Sequence, residues 1–91
     1  MPKSRRSSRW TPAEMDSYER ARALLDAVIA AYSGRIGAAP SPQAARALRA
    51  ERAPLLVERD ALTADSRERI AEILRDMPAQ LAAVREGDAG E

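Results

Sequence analysis

The chain has no cysteine and no histidine, which removes disulfides, thiolate zinc sites, imidazole ligands, cysteine nucleophiles and Ser–His catalysis at once. Helical di-iron centres of the Glu-x-x-His kind go with them. Phenylalanine is also absent, and the aromatics are Trp10, Tyr18 and Tyr32, too sparse for a base-stacking platform. No Gly-rich phosphate loop or helix-turn-helix spacing is present either. Long apolar runs are missing too: Ala27–Gly34 is eight residues, against the roughly 20 that cross a bilayer. Ser4-Arg5-Arg6 lacks the apolar stretch of an export signal, because Arg9, Glu14 and Asp16 follow, so a cytoplasmic location is expected.

What remains is alanine and arginine. Twenty Ala stand beside eight Leu, four Ile, three Val, three Met, two Tyr and one Trp in 91 residues, and fourteen of the fifteen bases are Arg. That supply suits one small domain with a thin core, which gains from burying a helix face on a second copy or a partner. The net charge of +1 hides a gradient. Residues 1–10 hold Lys3, Arg5, Arg6 and Arg9 with no acid, and read as a flexible basic arm; residues 11–86 read as the helical domain, and 87–91 as an acidic disordered tail.

Three helices are expected, over about 12–35, 42–62 and 65–86. Thr11, Pro12 and Glu14 form a complete start signal, with Trp10 and Met15 at the two positions of a hydrophobic staple. From there Met15, Tyr18, Leu25, Ile29, Tyr32 and Ile36 recur at helical spacing. Arg22 interrupts this face, and its stem is expected to lie along it. A glycine at 34 or 37, in the left-handed conformation, and then Pro40 and Pro42 are expected to end the helix. Ser41-Pro42 opens the second, in which Leu48, Leu55 and Leu62 repeat by heptads beside Glu51/Glu58 and Arg52/Arg59. One leucine per heptad is too narrow a stripe to zip with itself, and Pro54 predicts a kink. Asp65 and Glu68 suggest a capping box for the third helix, whose face is Ile70, Leu74, Met77, Leu81 and Val84, bent at Pro78. The fold class is therefore all-α: a three-helix antiparallel bundle, or a helical hairpin completed by dimerisation.

Candidate chemistry is sparse. Glu68, Glu72 and Asp76 share one stripe, but it lies nearly opposite the apolar face and reads as solvated, so no metal and no cofactor is expected. Arg46, Arg49, Arg52 and Arg59 lie along one side of the second helix, a shape suited to phosphate or carboxylate and equally to pairing between helices. Ala64–Leu74, eleven residues containing Arg67 and Arg69, resembles one stretch of the small all-helical chorismate mutases. That resemblance implies arginines binding an anionic substrate in a bundle of similar length. The proline-rich link at 37–42 and the Pro54 heptads depart from that family's long first helix.

The leading expectation is a non-enzymatic helical interaction module, an adaptor or regulatory subunit that pairs with itself or docks on a larger protein through Leu25, Ile29, Tyr32, Leu74, Met77 and Leu81. The alternative is a small nucleic-acid-associated regulator with Lys3, Arg5, Arg6, Arg9, Arg46, Arg49 and Arg52 as phosphate contacts.

Overall fold

The computed structural model describes residues 10–90, with side chains through 87. Among these residues all regular structure is helical: α1 Pro12–Gly37, α2 Pro42–Ala61 and α3 Arg67–Gly90. The start of α1 follows the sequence signal. Thr11 Oγ1 accepts from the Glu14 N–H at 3.0 Å while Glu14 Oε1 accepts from the Thr11 N–H at 2.9 Å, so two otherwise orphaned amides are satisfied reciprocally. Ser41 caps α2 through its hydroxyl alone, which accepts from the Ala44 N–H at 3.1 Å.

Three boundaries differ from expectation. At the end of α1 no glycine among the described residues takes a positive φ. Instead the Ala38 N–H bonds to the carbonyls of Gly34 and Arg35, both at 3.2 Å, and Pro40 and Pro42 bar continuation. Asp65 does not cap α3, which begins two residues later: the Ser66 carbonyl accepts the first helical bond, from Ile70 at 2.8 Å, and Asp65 Oδ1 accepts the Trp10 indole N–H at 2.8 Å. At the far end α3 runs on to Gly90 rather than stopping at 86, because Gly87 weakens a helix without forbidding one. Glu91 and the whole basic arm before Trp10 lie outside the described residues.

The three helices form a bundle with α1 at its centre. Arg52 meets Ser33 and Arg59 meets Asp26, so α2 runs antiparallel to α1. Arg67 meets Glu14, and Arg35 lies against Gly87, so α3 runs parallel to it. Both pack on α1, and their own Cα traces never come within 8 Å of each other. The outcome is a rod of 59 × 19 × 17 Å, in which every core residue is one layer from water.

The core is correspondingly narrow. Ala21, Leu25 and Val28 of α1 and Ile73 of α3 are fully enclosed, joined by Ile29, Tyr32, Leu48, Leu55, Leu62, Ile70, Met77 and Val84. Tyr32 links all three helices, since Glu51 of α2 and Gln80 of α3 both act on its hydroxyl; burial is the larger influence and raises its pKa. Arg22 lies exposed, its Nη1 donating to the Tyr18 hydroxyl at 3.0 Å. Helices α2 and α3 continue unbroken through Pro54 and Pro78, both of which are exposed.

Two ion pairs tie the links together. Arg69 of α3 grips Glu58 of α2 through Nε and Nη2, the latter at 2.9 Å, and also donates to Glu72. That bidentate hydrogen bond holds the Glu58 carboxyl below its ordinary value of 4.5, against a smaller opposing effect of burial. Glu14 is lowered as well, first by the Thr11 backbone N–H and then by Arg67. A carboxylate whose pKa is depressed on folding stabilises fully above its unfolded value and stops doing so as pH falls through the native one. Thermal unfolding is therefore expected to be flat from neutral pH to about 5 and to weaken below that. Glu58→Gln should lower stability by about 1 kcal/mol at pH 7 and flatten the acid slope, as read by circular dichroism melts across pH. An unchanged slope would show that the Glu58–Arg69 pair is absent in solution.

Candidate protein-docking groove

Because α2 covers only one flank of α1, the other flank is left between α1 and α3. On α1 this strip comprises Ala13, Ser17, Leu24, Ala27, Ala31 and Gly34, at helical spacing beside the core face. Opposite it on α3 stand Ala71, Leu74, Pro78 and Arg85. Three shallow concavities follow one another along this seam, the first two sharing Leu74. From Ala13 to Gly34 the strip is about 30 Å long at 1.5 Å per residue. Small residues on the floor let another helix approach closely, and leucines on the walls give it apolar surface to cover.

The structure redistributes the expected interface residues. Leu25, Ile29, Tyr32 and Met77 are buried within the chain's own core. The sequence pattern correctly marked an apolar face, but α2 and α3 themselves cover it. Leu74 is half-buried on the wall of the groove, and Leu81 is half-buried against the core. Leu24 and the alanine strip were not singled out from the sequence. Their one signal was the 3-4 spacing of small residues beside the main stripe, which Leu25 and Ile29 overshadow.

Among the described residues, the expected phosphate contacts Arg46, Arg49 and Arg52 do not point to one site. Lys3, Arg5, Arg6 and Arg9 lie outside the described residues. Arg46 and Arg49 are exposed and make no ion pair among the described residues. Arg52 pairs across helices: Nη1 donates to Ser33 Oγ at 2.8 Å, and its Nε is buried without a hydrogen-bond partner. Arg59 reaches Asp26 at 3.4 Å and Asp60 at 3.7 Å. Helix pairing thus takes two of the four guanidinium groups. An unsatisfied buried N–H costs free energy that an apolar side chain avoids. Arg52→Met is accordingly expected to raise stability by about 1 kcal/mol in urea titrations, and a loss of that size would mean the Ser33 bond outweighs the desolvation.

Other charged groups are likewise occupied. Arg67 donates to Glu14 at 3.0 Å and Arg69 to Glu58 and Glu72, so both arginines of the mutase-like stretch serve ion pairs rather than an anion pocket. Asp76 is gripped by its neighbour Arg75 at 3.0 and 3.2 Å, which lowers its pKa. Among the described residues no three carboxylates gather as a metal site. No described helix is long and apolar enough to cross a membrane. Set against known proteins, the chain matches no family model, no curated protein and no solved structure.

Proposed function

We propose that this protein is a non-enzymatic helical protein–protein interaction module, acting in the cytoplasm as an adaptor or regulatory subunit, and that its docking surface is the groove between α1 and α3. The observation that carries this reading is the row of three concavities between α1 and α3, lined on α1 by residues from Ala13 to Gly34, over the length of a helix of about 20 residues. Helix-in-groove recognition needs such a strip, with apolar anchors recurring along it, and Leu24 and Leu74 are placed to supply them.

The test is an amide-shift titration of the isotope-labelled protein with a synthetic amphipathic helix of about 20 residues that has leucines on one face and uncharged polar residues elsewhere. Shifts clustered on the groove residues of α1 and α3 are expected. Shifts confined to α2, or none, overturn the reading. Sedimentation equilibrium of the protein alone shows whether a second copy is the occupant, since self-association through this groove would make mass rise with concentration and fall back in Leu74→Glu.

A second reading, a nucleic-acid-associated regulator, draws on the exposed Arg46 and Arg49 together with Lys3, Arg5, Arg6 and Arg9. A Trp10 fluorescence titration with mixed-sequence duplex DNA tests it. Removing residues 2–9 should flatten the salt dependence by roughly four charges' worth, and an unchanged slope would sink it.

A further inference from the structure

Helix α2 carries a second apolar stripe on the side turned away from the core. Ala47, Ala50, Pro54, Val57 and Ala61 recur at alternating spacings of three and four, and all five are exposed. Among the described residues Val57 is the large apolar side chain left open to water, with 69% of its surface accessible. The stripe is about 21 Å long at 1.5 Å per residue. It is separate from the α1–α3 groove, because α2 and α3 pack on α1 without approaching each other.

The two borders of this stripe differ. On one, Glu58 is gripped by Arg69 and Glu51 acts on the Tyr32 hydroxyl, so both carboxylates are engaged within the chain. On the other, Arg46 and Asp60 stand two heptads apart. Arg46 is exposed and makes no ion pair among the described residues, and Asp60 meets Arg59 only at 3.7 Å.

We propose that two copies of this chain pair through this face, α2 against α2 and antiparallel, with Val57 packed over the partner's Ala47 and Pro54 over the partner's Ala50. In that register Arg46 of each copy falls beside the partner's Asp60, and two-fold symmetry forms this ion pair twice. Glu51 nears its own copy, one like-charged contact against two opposite ones. A shift by one heptad loses both ion pairs and brings Glu51 toward the partner's Glu58. Antiparallel packing also sets large residues on small ones and opposes the helix dipoles, whereas a parallel pair stacks Val57 on Val57 and Pro54 on Pro54 between loose alanine layers. A stripe of this length buries less than the roughly 800 Å² per partner of a standard interface, so the pairing is weak and needs high concentration.

Sedimentation equilibrium of the full chain at low salt, from micromolar to about 1 mM, tests this. The mass is expected to rise toward twice 9.9 kDa. Val57→Glu should weaken association by about tenfold or more, with circular dichroism unchanged because Val57 is exposed. Leu74→Glu, in the groove, should leave it unaltered. Arg46→Asp and Asp60→Arg should each weaken pairing several-fold, and the two together should restore it. A mass that stays at 9.9 kDa throughout overturns the proposal. So does association that survives Val57→Glu but fails in Leu74→Glu, or a charge exchange that restores nothing; the groove as a docking surface stands in either case.

Discussion

Leu25→Ala is expected to lower the unfolding free energy by about 3–4 kcal/mol, the upper part of the range for removing an enclosed leucine. Leu25 has no exposed surface and sits mid-way along α1, the helix on which both others rest. Truncating it opens a cavity that cannot close by moving one helix, because α2 and α3 are held on α1 by separate sets of contacts. For a domain of this size such a loss is a large share of the total stability. The adjacent Leu24→Ala serves as the internal control, since Leu24 is half-buried in the groove wall and should cost about 1 kcal/mol. Urea titrations with unchanged slopes would report both. Equal losses at the two positions would mean that α1 is not clasped from two sides.

Pro54→Ala should act in the opposite direction and raise stability by about 2–3 kcal/mol. Proline in a helix interior removes one backbone bond and crowds the preceding turn, yet α2 is continuous from Pro42 to Ala61. Alanine at this position restores the bond to the Ala50 carbonyl and disturbs no packing, because Pro54 is exposed. A rise in melting temperature with unchanged helical content is the expected result. A fall would show that the proline sets a curvature on which the Leu48 and Leu55 contacts depend.

Much of the fold is written locally. The Thr11–Glu14 box, the Ser41 cap and the periodic faces of α1 and α3 are short-range signals, and they place helices that the structure contains. What local pattern leaves open is the question of which surface covers which. Leu25 and Leu24 are neighbours in sequence with opposite fates, one enclosed and one on the groove; the helical period sets Leu25 on the main stripe but does not say which flank of α1 stays uncovered. Asp65 illustrates the same point. Its spacing to Glu68 is that of a capping box, yet the indole of Trp10, fifty-five residues away in sequence, takes its carboxylate. Arg52, on one helical arc with the exposed Arg46 and Arg49, pairs with Ser33 on another helix. In each case a long-range partner decides, and no periodicity reports long-range partners.

The central position of α1 also has a kinetic meaning. With no backbone approach between α2 and α3, lifting either outer helix off α1 breaks the Arg69–Glu58 pair near the link and leaves the other helix seated. Partial opening therefore has two separate routes, each exposing one side of α1, and amide exchange should be slowest in α1 itself. The short link from Gly37 to Pro42 favours the α1–α2 hairpin as the earlier contact in folding, so that docking of α3 closes the chain last.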